Sequence, residues 1–377
     1  MVTPIVRVRI VKWGSAAARV VVVGPRLNDR GGIARVNSAY AAAGLFNSDS
    51  ADLIVRHFPS IRDGLPLGKL VYAGVRLIAF ALRSLPPPTV VHLHTTSHGS
   101  FWRKFAYSWI ARAKGARVIH HIHAFGFLEY YERGGHLRRA AIRTMLRRAD
   151  ALIALTAGMA SHLRRIVPEQ RIEILPNPVD LVSLRIEPTP LRNPRLVLFL
   201  GWLIPEKGIY ELLEAVALGL RELPDLRLAL GGFRNEVAVH KRVRRLGIEA
   251  HVEFRGWLNR VEVASALHEC SVLALPSHTE GFGLVLVEAM ACGTPIVTCP
   301  VGGIPEVVQS PRNAVFVPPR NATALCEALV TVLTDRKLRE AMSAAGPRDA
   351  ERFDTPDVLE RLHAIYRRVL TPRASFL

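Results

Sequence analysis

Hydrophobic positions along this chain alternate between two rhythms. Arg19–Gly24 is a run of four valines closed by glycine, the β-branched composition of a strand buried on both faces of a parallel sheet. After a loop carrying Gly31-Gly32, a helical period runs from about Ile33 to Ala43. Strands are predicted at Asp52–His57, Thr89–His94, Arg117–His123 and Ala151–Leu155, with helices at Phe101–Lys114 and Arg138–Arg148. The pattern then restarts. Strands are predicted at Arg195–Gly201, Arg227–Gly231, Val252–Arg255, Ser271–Leu275, Pro295–Cys299 and Ala314–Val317. The helices between and after them fall at Ile209–Leu220, Glu236–Leu246, Val261–Glu269, Leu284–Ala291, Ile304–Gln309, Thr323–Leu333, Arg336–Ala345 and Thr355–Leu370. Strands that alternate with helices imply βαβ units, so an α/β protein with two doubly wound domains in tandem is expected.

The expected division is residues 1–180, residues 181–354, and a C-terminal helix and tail over 355–377 that packs back toward the first domain. Pro176, Pro178, Pro188, Pro190 and Pro194 cluster in a polar segment that suits a linker. A length of 377 residues agrees with two domains of ordinary size.

Charge changes this picture more than composition does. Residues 1–190 hold 27 Lys and Arg against 11 Asp and Glu, whereas residues 191–377 hold 23 against 21. The excess in the first half points to an anionic partner there: nucleic acid, anionic lipid or a phosphorylated substrate. The aromatics are not interleaved with the arginines and no nucleic-acid motif is found, so nucleic acid is not expected. Two basic stretches, Pro66–Leu85 and His136–Arg148, are amphipathic enough to lie on an anionic bilayer. Each is equally readable as an ordinary helix with a solvated charged face. Cys270, Cys292, Cys299 and Cys326 have neither zinc-ligand nor disulfide spacing, which favours a reducing compartment. The basic opening residues lack the apolar centre of a signal peptide, and no uninterrupted apolar run reaches the roughly 18 residues a spanning helix needs. A cytoplasmic protein is expected, peripheral on the inner face of the plasma membrane if the basic half meets lipid.

The segment Leu275–Glu288, LPSHTEGFGLVLVE, carries the chemistry. A strand ends at Pro276, a loop presents Glu280 and Gly281-Phe282-Gly283, and a helix starts at about Leu284. Glycines allow close backbone approach to a ligand, and the free amides of a helix N-terminus suit a pyrophosphate. Two carboxylates flank this turn, placed to accept hydrogen bonds from sugar and ribose hydroxyls. Glu280 as a helix cap and Glu288 as a surface charge is the plainer alternative. Glu288 lies in the apolar run LVLVEAMACG, where an unpaired charge is costly, and a ligand-facing role explains it better.

This segment resembles the E-x7-E signature of retaining glycosyltransferases, in particular glycosyltransferase family 4, over the 29 residues EGFGLVLVEAMACGTPIVTCPVGGIPEVV. FLGWLIPEKGIYELLEA, VEFRGWL and LPNPVD resemble further family segments in the expected order. Gly31-Gly32-Ile33, HLHTTSHGSFWRK and VIHHIHAFGF resemble the first half of bacterial relatives that build surface polysaccharides. The resemblance implies the GT-B fold, two Rossmann-like domains facing a central cleft, with the acceptor on the first and the nucleotide sugar on the second. It implies that His123, Lys207 and Glu280 act in catalysis. It further implies that Gly31, Gly32, Gly201, Lys207, Glu280, Gly283, Leu284 and Glu288 surround the donor. Glu288 would bind the ribose, Glu280 the sugar hydroxyls, and Lys207 the diphosphate. No metal and no cofactor beyond the nucleotide sugar itself are implied, and the sequence has no D-x-D motif. His120 and His121 are rivals of His123, and a backbone-bonded core histidine is the plainer reading of all three.

One position departs from the family: Trp202 follows Gly201 where an arginine is usual. Arg234, after Gly231-Gly232, is a candidate replacement. The implied function is transfer of a hexose from a UDP- or GDP-sugar to a lipid-linked or polysaccharide acceptor with retention of configuration. The alternatives are an inactive homologue serving as a partner subunit and a GT-B nucleotide-sugar epimerase. The epimerase needs no basic acceptor domain; the inactive homologue does not need Lys207, Glu280 and Glu288 intact.

Overall fold

The computed structural model describes residues 18–47, 53–124, 126–186 and 191–371. The basic stretch before Ala18, Asp52, Pro188, Pro190 and the tail after Thr371 lie outside these residues. Up to residue 174 the elements are β1 (Ala18–Pro25), α1 (Gly32–Ala42), β2 (Leu53–Ile61), α2 (Pro66–Leu82), β3 (Thr89–Thr95), α3 (Gly99–Ala113), β4 (Arg117–Ile122), α4 (Phe127–Glu132), α5 (His136–Arg147), β5 (Ala151–Ala154), α6 (Ala157–Ile166) and β6 (Ile172–Ile174). Their sheet runs β2-β1-β3-β4-β5-β6, every pairing parallel.

The second unit holds β7 (Leu196–Leu200), α7 (Ile209–Gly219), β8 (Arg227–Gly231), α8 (Glu236–Leu246), β9 (Val252–Gly256), α9 (Arg260–Glu269), β10 (Val272–Leu275), α10 (Leu284–Ala291), β11 (Ile296–Thr298), α11 (Ile304–Val307), β12 (Ala314–Phe316), α12 (Ala322–Thr334) and α13 (Arg336–Ala350). Its sheet, also parallel, runs β12-β11-β10-β7-β8-β9. Two Rossmann-like α/β units of this kind make a GT-B fold.

Local chemistry sets the elements. All seven residues of β3 are buried, as a central strand covered by helices on both faces requires. Asn259 accepts from the Val261 and Glu262 amides while Glu262 accepts from the Asn259 amide, so α9 starts in a capping box. Thr156 accepts from the Met159 amide and starts α6 in the same manner.

The last helix, α14 (Thr355–Leu370), returns to the first sheet. Its Val358, Leu362, Ile365, Tyr366 and Val369 are buried in one cluster with Val20, Val22, Val90 and Ile119. The Val179 amide donates to the Phe353 carbonyl (2.9 Å) and the Thr355 amide to that of Val179 (3.1 Å), so the two crossings between units run side by side. The proline-rich segment is therefore no solvated linker at its start. Leu175–Val179 is buried, because it threads between the units beside the returning chain.

The two basic amphipathic stretches differ. α5 buries Ile142, Met145 and Leu146, so its apolar face is spent on the core. α2 buries only Phe80 and leaves Leu67, Leu70, Val71, Val75, Ile78 and Leu82 exposed. Among the described residues, no helix is long and apolar enough to cross a membrane.

Candidate functional site

A doubly wound sheet opens a crevice beyond the carboxyl ends of its strands where the strand order reverses. Here the reversals fall between β1 and β3 in one unit and between β7 and β10 in the other. The loops leaving these strands enclose one cleft of about 630 Å³ between the units. Gly31, Gly32 and His123 line it from the first unit, and Gly201, Lys207, Glu280, Gly283 and Leu284 from the second. That volume is in the range of small-ligand sites.

On the second-unit wall, Lys207 Nζ lies 2.5 Å from Glu280 Oε2, both side chains largely shielded from solvent. Glu280 Oε1 also accepts from the Gly281 amide at 3.1 Å. The loop that delivers Lys207 ends at Gly208, φ +70°, where a Cβ would lie 2.0 Å from the Pro276 carbonyl oxygen. Only glycine lets α7 start so close to the end of β10 and sets Lys207 against Glu280. The His278 amide, donating to the Glu206 carbonyl at 2.9 Å, ties the two loops. At Gly283 the chain enters α10, and Gly283, Leu284 and Val285 at its start line the same cleft.

Glu288, one turn into α10, is placed differently from the other donor-site candidates. Its carboxylate opens not on the large cleft but on an adjoining pocket of about 20 Å³ shared with Arg35, Asp180 and Arg260. Oε1 pairs with Arg35 Nη2 from α1 of the other unit at 2.6 Å, and buried Oε2 has no partner. Burial pushes the Glu288 carboxyl up, while Arg35 and then Arg260 pull it back.

His123 is held at the mouth of the first sheet by its amide, which donates to the Thr95 carbonyl at 2.9 Å. Behind it β3 and β4 stack their histidines on one face, in the register His94 beside His121. His123 Nε2 meets His94 Nδ1 at 2.7 Å; His121 Nδ1 meets His92 Nε2 at 3.3 Å; His92 Nδ1 meets the Tyr366 hydroxyl of α14 at 2.7 Å. His120 points to the opposite face, to Thr95 and Ser108. Burial lowers His92, His120 and His123 to about 3, and His94 and His121 well below the ordinary imidazole value. All five are neutral near pH 7, so His123 brings no charge to the cleft, and its ring is held by His94 and Asn177. His92, His94 and His121 each bring one ring nitrogen within 4.8 Å of the others.

Several cleft residues carry no signal that sequence reasoning used. Arg30 reaches across to the second unit, its guanidinium 4.9 Å from the Phe233 ring centroid and 5.8 Å from that of Trp257. Arg35 and Asn177 likewise join the site only through the fold. A basic residue on each side of Gly31-Gly32 was the one available hint.

A cleft between two Rossmann-like units, with a lysine–glutamate pair and a helix N-terminus on one wall, defines the class of GT-B glycosyltransferases. Residues 9–183 match the sequence profile of Glycosyltransferase Family 4, and residues 185–349 match that of Glycosyl transferases group 1. The chain belongs to this family and is a glycosyltransferase. The D-inositol 3-phosphate glycosyltransferase of Segniliparus rotundus is 27% identical over 299 residues, covering 74% of this chain and 67% of that protein. The phosphatidyl-myo-inositol mannosyltransferase of Mycobacterium leprae is 33% identical over 202 residues, covering 52% and 54%. Among solved structures, HepE of Anabaena in complex with UDP-glucose superposes with a TM-score of 0.73 at 19% identity, covering 93% of this chain and 99% of that one. Sucrose-phosphate synthase of Thermosynechococcus elongatus gives 0.71 at 20%, covering 93% and 98%.

Proposed function

We propose that this protein transfers a hexose, with retention of configuration, from a UDP- or GDP-sugar in the cleft to a lipid-linked or glycan acceptor of cell-surface polysaccharide synthesis. The observation that carries the proposal is the Lys207–Glu280 pair beside the N-terminus of α10. Charge on the departing diphosphate grows in the transition state, and a fixed ammonium with fixed amides stabilises it without reorganising. Glu280, oriented by Lys207 and the Gly281 amide, is left to accept from sugar hydroxyls. His123, neutral and fixed by His94, hydrogen-bonds the sugar from the opposite wall. The leaving phosphate itself takes the acceptor's proton on the face it vacates, so neither a protein nucleophile nor a metal is called on. That HepE is described with UDP-glucose, and other relatives as inositol phosphate or phosphatidylinositol glycosyltransferases, supports a nucleotide sugar and an anionic acceptor.

The lipid-linked acceptor is favoured by α2. Its exposed leucines and valines, with Lys69 in its first turn and exposed Arg83 directly after its last, suit shallow insertion into an anionic bilayer at the inner face of the plasma membrane, while Arg76 turns inward to the Pro59 carbonyl and the Phe58 ring. The test is nucleotide release from a panel of UDP- and GDP-sugars, wild type against Glu280→Ala. Release from one donor, lost in the variant, supports transfer chemistry. Saturable binding without release would favour the inactive partner subunit. Conversion of the sugar without release would favour the epimerase.

A further inference from the structure

We infer that His92, His94 and His121 form a buried site for one divalent transition-metal ion of the zinc class, one ring behind the cleft. The topology brings the three together. His92 and His94 are two positions apart on β3 and so share a face of the sheet, and the register sets His121 of β4 directly beside His94. Each is 1% exposed or less, and one ring nitrogen of each lies within 4.8 Å of the others. An ion centred among three such atoms sits within about 2.8 Å of each, so bonds of roughly 2.0–2.1 Å need ring movements of under about 1 Å.

The hydrogen bonds select the lone pairs. His92 Nδ1 is taken by the Tyr366 hydroxyl and His94 Nδ1 by His123 Nε2, both at 2.7 Å. A histidine that ligates a metal through one nitrogen bonds a neighbour through the other, and Tyr366 and His123 fill that role here. His92 Nε2 is left to face His121 Nδ1 at 3.3 Å, while His94 Nε2 and His121 Nε2 are buried and have no partner among the described residues. α1 adds to this shortage: both polar atoms of the Asn37 side chain and the Tyr40 hydroxyl are also buried and unpaired. A Cβ on Gly24 would lie 2.4 Å from Asn37 Nδ2 and 3.4 Å from His94 Cδ2, so Asn37 and His94 pack over the same glycine. So many unpaired polar atoms in one buried place call for an ion or for ordered water. Three neutral imidazoles suit zinc, nickel or copper and release no proton on binding. A solvent oxygen in the fourth position, ionised near pH 7 on such an ion, offsets part of the charge brought inside. Bound there, the ion fixes His94 as the Nδ1–H tautomer, the one that donates to His123.

The experiment uses whole, tag-free protein expressed in zinc-supplemented medium, purified without chelator and passed through gel filtration before elemental analysis. About one zinc per chain is expected, with X-ray absorption at the zinc edge showing three imidazole nitrogens at about 2.0–2.1 Å. Protein expressed with cobalt instead should show the visible absorption of tetrahedral cobalt. His94→Gln and His121→Gln, each checked by circular dichroism and gel filtration, should retain less than a tenth of the ion. His98→Gln, on the exposed loop after β3, should retain all of it. Folded wild type that carries no metal leaves the cluster to ordered water and overturns the inference. Metal retained equally by His94→Gln and His121→Gln lies elsewhere and overturns it too. Should those variants fail to fold, the zinc-edge spectrum of wild type decides, and fewer than three imidazoles overturns the site. No donor enters these measurements, so either result leaves the nucleotide-sugar reading standing.

Discussion

Lowering the pH from 7.5 to 5.5 perturbs the first unit through four fully buried histidines: His92, His94, His120 and His121. Each is held neutral in the fold, with its pKa lowered by burial. In the unfolded chain each returns to about 6.5. The unfolded state therefore binds the extra protons. Their stabilising contribution is complete above pH 6.5 and declines as pH falls toward about 3. At pH 5.5, one unit below the unfolded value, the decline is about 1.4 kcal/mol per histidine, or roughly 5–6 kcal/mol for the four. A domain's whole stability is about 5–15 kcal/mol, so the first unit should be near its limit there. Urea unfolding followed by intrinsic fluorescence should show a midpoint lower by roughly 2–3 M at pH 5.5, taking a slope of about 2 kcal/mol/M. Calorimetric unfolding in two buffers of different ionisation enthalpy should count roughly five to six protons taken up at pH 5.5, from these four with His57 and His123, whose pKa values burial lowers in the same way, and fewer than about one at pH 7.5. Uptake of fewer than about one proton at pH 5.5, or an unchanged midpoint, would refute the neutral ladder.

Gly208→Ala places a methyl group on the Pro276 carbonyl at a positive φ; a loss of about 2–4 kcal/mol in urea unfolding is expected, together with weaker donor binding as Lys207 shifts. Arg35→Gln removes the nearest charge opposing the upward push that burial gives the Glu288 carboxyl. The pH profile of nucleotide affinity in that variant should move to higher pH than in wild type, measured by titration calorimetry; superimposable profiles would separate Arg35 from Glu288 function. Leu70→Glu with Val75→Glu, both on exposed positions of α2, should leave the melting curve unchanged and reduce sedimentation with anionic vesicles about tenfold or more. Equal sedimentation would remove α2 from the membrane reading.

The alternation of strand and helix was legible because buried parallel strands such as β1 are nearly uniform valine, and because the loop before α10 gathers its chemistry in fourteen consecutive residues. α6 is absent from the predicted elements although it was legible: Met159, Ala160, Leu163 and Ile166 recur at helical spacing, His162, Arg164 and Arg165 fall on the opposite face, and Thr156 supplies a cap. Glu288 was readable as a buried carboxylate, but its partner Arg35 lies 253 positions away and only the fold joins them. α2 and α5 both read as basic amphipathic helices. Local periodicity says which face is apolar and leaves open what covers it, so only packing separates the α5 face turned to the core from the α2 face turned outward.

α14 has a consequence for how the chain is made. The first sheet is contiguous in sequence from β1 to β6, yet Val20, Val22, Val90 and Ile119 are covered by residues synthesised after the entire second unit. At about 5–20 residues per second, a nascent first unit waits roughly 10–40 s with that apolar face unclosed while residues 175–370 emerge. During that interval it is the natural client of a chaperone, and a ribosome stalled in the second unit would release a chain with a sticky, incomplete first domain.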